Sequence, residues 1–122
     1  MTNKIKSFED LEIWKLSHFL VLEIYKVVKS FPKSEDYILT KQIIRSAQSI
    51  PANISEGMGR FSKKEFLQFL IISRGSVEET KYHLILAKDL GYLEDNLFEE
   101  LKNNYTILGK KINSLISSIK SK

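Results

Sequence analysis

Apolar residues recur at three- and four-residue spacing along nearly the whole chain, and only two prolines and five glycines interrupt 122 residues. That period belongs to helices with one buried face, not to strands, whose apolar residues alternate. The spacing predicts an all-α fold in one domain spanning 1–122, with helices at about 8–30, 35–59, 63–90 and 95–119. Short connections make neighbouring helices antiparallel, so the expected architecture is an up-down-up-down four-helix bundle.

The breaks have local reasons. Ser7 is placed to cap helix 1, with Glu9 and Asp10 in its first turn, and Phe31-Pro32 ends it. Ser34 is the expected cap of helix 2. Ser62 and Glu65 form a capping-box pattern for helix 3, and Gly91 is its stop. Pro51 falls inside helix 2, where it removes a backbone donor; the apolar phase continues across it, which predicts one kinked helix. Gly75 lies mid-helix at a cost of about 1 kcal/mol against alanine; it is either a tolerated surface glycine or, the favoured reading, the mark of a close helix–helix crossing.

Composition excludes several function classes. With 43% hydrophobic and 28% charged residues the chain reads as soluble and globular, and its apolar runs are too short to span a membrane. No cysteine is present, which removes disulfides, thiolate metal sites and cysteine nucleophiles. A cytoplasmic location is expected, and the N-terminal residues lack the apolar core of a signal peptide. The two histidines, His18 and His83, fall on different helices and do not complete a di-iron pattern. There is no phosphate loop and no nucleophile elbow. The expectation is a non-enzyme with no catalytic residues, no metal and no cofactor.

Helix 2 carries the most informative pattern. At about 100° per residue, Gln42, Arg45, Ser49, Asn53, Glu56 and Arg60 form a polar file beside an apolar stripe of Ile43, Ala47, Ile50, Ile54 and Met58. The file is either a seam or a binding surface. As a seam it would involve Gln42, Asn53, Glu56 and Gly57, with Gly75 and Glu79 of helix 3. As a surface, Arg45, Arg60, Lys63, Lys64 and Arg74 would contact phosphates of RNA or DNA. The chain has only these three arginines, within a net charge of +4. Helix 1 has an apolar surface wider than a bundle requires. This predicts a homo-oligomer, with Trp14, Val21 and Tyr25 as candidate interface residues.

The central segment resembles a known bacterial family. The residues that carry the resemblance are Gln42-Ile43-Ile44-Arg45-Ser46-Ala47, Ser49-Ile50-Pro51-Ala52-Asn53-Ile54-Ser55-Glu56-Gly57 and Gly59-Arg60. They continue through Ser62-Lys63-Lys64-Glu65-Phe66, Arg74-Gly75-Ser76 and Glu79, with Phe8-Glu9-Asp10-Leu11, Trp14 and Leu90-Gly91-Tyr92-Leu93 flanking them. The chain is similar to the four-helix-bundle proteins encoded in intervening sequences of 23S ribosomal RNA genes, and to the accessory protein of diversity-generating retroelements. Ser55 stands where the pattern would place alanine. The resemblance implies a ring-like homopentamer. By kinship with the retroelement protein it also implies RNA or DNA, and a partner protein such as a reverse transcriptase.

Overall fold

The computed structural model describes residues 5–122, and among these all regular structure is helical. The long helices are α1 (Glu12–Val27), α2 (Leu39–Gly59), α3 (Lys63–Asp89) and α4 (Asp95–Lys120). Short 3-10 turns precede and follow α1, at Phe8–Asp10 and Val28–Ser30, and another spans Lys33–Glu35.

Each end has a chemical cause. Ser7 caps the short turn Phe8–Asp10 rather than α1: its hydroxyl accepts the Glu9 N–H at 3.2 Å, and Asp10 Oδ2 accepts the N–H groups of Lys6 and Ser7 at 2.8 and 3.1 Å. Those two donors hold the Asp10 carboxyl below its ordinary range. The turn stops at Leu11, whose backbone is extended, so the α-helix itself starts at Glu12 rather than at Phe8.

Ser34 does not cap α2. It lies inside the 3-10 turn, and α2 begins only at Leu39. Glu35 takes over the task, accepting the Leu39 N–H at 3.3 Å on Oε1 and the Tyr92 hydroxyl at 2.9 Å on Oε2. One carboxylate thus caps α2 and ties it to the connection between α3 and α4. The same bond raises the pKa of Tyr92.

Ser62 caps α3 by accepting the Glu65 N–H at 3.2 Å, while the Glu65 carboxylate reaches Arg60 instead of completing the box. Gly91 closes α3 at φ +85, with Gly91 N–H bonding Lys88 O at 3.0 Å and Tyr92 N–H bonding Ala87 O at 2.9 Å. α2 runs through Pro51 without interruption.

The helices share one core. α1 packs on α2 and α4, α3 packs on the same two helices, and so α1 and α3 sit across the diagonal. Leu20, Ile24, Ile43, Ile50, Leu84 and Tyr105 are among its fully buried members. Burying such side chains is worth roughly 1.5–3 kcal/mol each, which drives the association of four helices that would be marginal alone. Burial also raises the pKa of Tyr105 strongly.

Candidate functional site

The contact between α2 and α3 is built from small and hydroxyl-bearing residues. Thr80 Oγ1 donates to Ser46 Oγ at 2.8 Å, Ser49 and Ser76 share a hydrogen bond at 2.9 Å, and Ser73 Oγ donates to Ile50 O at 2.9 Å. At the far end, a Cβ placed on Gly57 would lie 2.6 Å from Phe69 Cβ. Positions advance along α2 as their partners recede along α3, so the two helices run in opposite directions. Asn53 supports this seam from within α2, donating to Ser49 O at 2.7 Å and to Ser49 Oγ at 2.9 Å.

The predicted polar file is therefore divided. Ser49 and Asn53 turn toward the seam and are partly buried, whereas Gln42, Arg45, Glu56 and Arg60 are exposed. Arg45 reaches across to Glu79, and its Nε donates to Gln42 Oε1 at 3.0 Å. The same Glu79 oxygen lies 3.3 Å from His83 Nε2. Glu56 does not cross the seam: it pairs with Arg60 one turn along its own helix, at 3.0 Å. Gln42 likewise stays on α2. Arg60 also meets Glu65 at 3.3 Å and lies over the Phe69 ring, 5.2 Å from its centroid.

Three expectations need correction. Gly75 makes no close crossing, since a Cβ there would meet nothing within 4 Å; the tight glycine is Gly57. Val21 is buried in the protomer's own core, because it lies on the α1 side that faces α2. Glu56 and Gln42 are helix-surface residues rather than members of the α2–α3 contact.

The other candidates divide by their partners. Arg45 and Arg60 each have a carboxylate partner, which offsets their charge. Arg74 instead donates to the neutral amide oxygen of Asn113 at 3.2 Å and has no carboxylate partner among the described residues. Lys63 and Lys64 are exposed and form no ion pair among the described residues. Beside them Phe61 is 96% exposed at φ +55, a strained backbone for an aromatic residue.

On α1, Trp14 is half-buried, edge-on to Phe8 and stacked on His18 with ring centroids 4.9 Å apart. Tyr25 is exposed and accepts a hydrogen bond from Gln48 at 2.8 Å. Sequence reasoning missed Phe19 and Leu22, which are also exposed on this helix. It missed Ser46, Ser73, Ser76 and Thr80 as well. Their signal was the matched spacing of small polar residues on the two helices, Ser46-Ser49-Asn53 against Ser73-Ser76-Thr80.

Residues 9–114 match the family model described as 23S rRNA-intervening sequence protein. Among solved structures, the chain is similar to a protein of unknown function from the S23 ribosomal protein family of Bacteroides thetaiotaomicron VPI-5482. That likeness has 28% sequence identity and a TM-score of 0.79, and covers 86% of this chain and 95% of the other. No curated protein matches the chain. The family match takes in all of α1, the α2–α3 seam and most of α4, and on it the chain belongs to the 23S rRNA-intervening sequence protein family.

Proposed function

We propose that this protein is a non-enzymatic, self-associating helical bundle that acts as an assembly scaffold in the cytoplasm. The observation that carries this reading is the surplus apolar surface of α1. Phe19, Leu22 and Tyr25 remain exposed although Ile13, Leu20, Ile24 and Val27 already fill the core. The pairing of Arg45 and Arg60 with carboxylates supports it from the other side, since paired guanidiniums are poor phosphate ligands. An up-down-up-down arrangement, α2 kinked at Pro51 and a ring of five subunits belong to the same reading, the number five resting on family resemblance.

Light scattering or sedimentation equilibrium at micromolar concentration tests the proposal. A multiple of the 14.2 kDa chain mass is expected; a single-chain mass at every concentration ends it.

A second reading is nucleic-acid binding by Lys63, Lys64 and Arg74, and one observation favours it. Lys63 and Lys64, without an ion pair among the described residues, follow the exposed Phe61 in sequence, and an aromatic ring near cations suits stacking with phosphate contact. Fluorescence anisotropy with single-stranded RNA should then show binding that weakens steeply with salt. Binding unchanged in a Lys63→Glu/Lys64→Glu variant, or no binding at low salt, removes this reading. A protein partner such as a reverse transcriptase is a further expectation from the family resemblance alone.

A further inference from the structure

Three cations line one groove between α3 and α4. Arg74 and Lys81 stand two turns apart on the same side of α3, about 10 Å along the helix axis. Lys110 joins them from α4, and the groove has a volume of about 520 Å³. One carboxylate, Glu78, lines it too, but its side chain is 68% exposed and lies 3.6 Å from Lys81 Nζ, where an exposed carboxylate neutralises little. The Lys81 side chain is only 19% exposed, so most of it is covered, unlike a lysine on an open helix face. Lys110 forms no ion pair among the described residues, and Arg74 has only the neutral oxygen of Asn113. The groove therefore carries a positive excess that its own walls do not offset.

The floor of the groove is bare. Gly75 and Gly109 line it from the two helices, each near the middle of a long helix, where glycine is unfavourable. Neither is demanded by the helix contact. A Cβ on Gly75 would meet nothing within 4 Å, and one on Gly109 would make an ordinary contact with Val77 Cγ1 at 3.6 Å. Gly57 and Gly91 show the contrast, the first crowded by Phe69 and the second at φ +85. The two mid-helix glycines without a packing reason thus border the same space. Bare positions there let a ligand come close to both helix backbones and reach the cations along the walls.

The register sets the shape of what fits. Arg74 meets Asn113 and Val77 lies beside Gly109, so the two helices run in opposite directions. The cations then follow one another along the groove in the order Arg74, Lys110, Lys81. An elongated row of cations matches an elongated anion better than a single phosphate. Asn113 takes one N–H of Arg74, which keeps the other donors of its fork. With its oxygen occupied, Asn113 offers its amide nitrogen as a further donor beside them. We propose that this groove binds a linear chain of two or three phosphoryl groups, as in an inorganic polyphosphate or the phosphate tail of a free nucleotide. Arg74 and Asn113 hold one end, Lys81 the other, and Lys110 the middle. The site stands independently of self-association. Its ligand is a small free anion, not the nucleic acid considered for Lys63 and Lys64.

Isothermal titration calorimetry of the full chain with inorganic tripolyphosphate tests it, with circular dichroism and a thermal melt on each variant. The unaltered chain should bind one tripolyphosphate per chain, more tightly than orthophosphate or citrate. Gly75→Leu puts a large side chain into the groove on a better helix former. It should keep or raise the melting temperature while weakening binding by at least roughly tenfold. Arg74→Gln and Lys81→Met should weaken binding in the same way, whereas Glu78→Gln should tighten it by removing the opposing carboxylate. Lys63→Glu/Lys64→Glu should bind as the unaltered chain does. Adenosine triphosphate bound more tightly than tripolyphosphate assigns the phosphoryl chain to a nucleotide, and the reverse order to an inorganic anion; either supports the groove. No saturable binding, citrate bound as tightly as tripolyphosphate, or Arg74→Gln and Gly75→Leu that bind like the unaltered chain overturns it. Binding lost only in Lys63→Glu/Lys64→Glu places the anion at the α2–α3 connection and overturns it as well.

Discussion

Gly57 lies so close beneath Phe69 that a methyl group at its Cα would sit 2.6 Å from the Phe69 Cβ. Phe66 closes the other side at 3.1 Å, so α2 and α3 can meet here only because position 57 has no side chain. Gly57→Ala should force the helices apart and cost about 1–3 kcal/mol. Gly59→Ala, two residues on in open space, should cost nothing and gain up to about 1 kcal/mol. Urea denaturation of both variants decides it, and equal midpoints would contradict the close-contact account.

Thr80 holds the middle of the same seam. Its hydroxyl is buried, 2.8 Å from both Ser46 Oγ and Ser76 O. Thr80→Val keeps the shape but removes the hydroxyl, and should cost roughly 1–2 kcal/mol. Because Ser46 depends on the same bond, adding Ser46→Ala to Thr80→Val should cost less than the two single losses summed. Strict additivity in a double-mutant cycle would mean the two hydroxyls do not interact.

Glu35 links two connections that are distant in sequence. Glu35→Ala removes both the cap on Leu39 and the acceptor for Tyr92, and a loss of about 1–2 kcal/mol is expected. Hydrogen exchange should accelerate at the Leu39 amide. The Tyr92 phenol should also ionise at lower pH in this variant, because the carboxylate that raises its pKa is gone. A Tyr92 titration curve that does not move, followed by ultraviolet absorbance, would show that Glu35 does not govern that phenol.

Tyr105 should contribute to the loss of stability at alkaline pH. Burial raises its folded pKa well above the ordinary value of 10.0, so the unfolded chain releases this proton first as pH rises. Its contribution is fully present below pH 10.0 and is lost progressively above it. Its hydroxyl has no hydrogen-bond partner among the described residues, so Tyr105→Phe should not destabilise the protein near neutrality. The variant should lose stability less steeply above pH 10.0 than the unaltered chain, as melts across the alkaline range would reveal. Parallel alkaline limbs would place the sensitivity elsewhere.

Much of the framework was readable in advance because it depends on local chemistry. Ser62 and Gly91 bound α3 through contacts within a few residues, as their types predict, whereas Ser7 caps only the 3-10 turn ahead of α1. Ser34 failed as a cap because Pro32 sets up a 3-10 turn that carries the chain past it, leaving Glu35 to reach Leu39. The candidate site was less legible. A rotation of α2 by a fraction of a turn decides whether Ser49 or Arg45 faces α3, and the three-residue spacing of hydroxyls was a weaker signal than the arginines.

The sequence by itself determined that this chain is helical, where most helices end and which stripe of each is apolar, since period and capping act over one or two turns. Only the tertiary structure decided which glycine permits a close approach, that Val21 is enclosed while Phe19 and Leu22 are not, and that the arginines of α2 are occupied by carboxylates. Those outcomes depend on how four helices rotate to exclude water from a shared core. That rotation is set by side chains on neighbouring helices, far away along the chain.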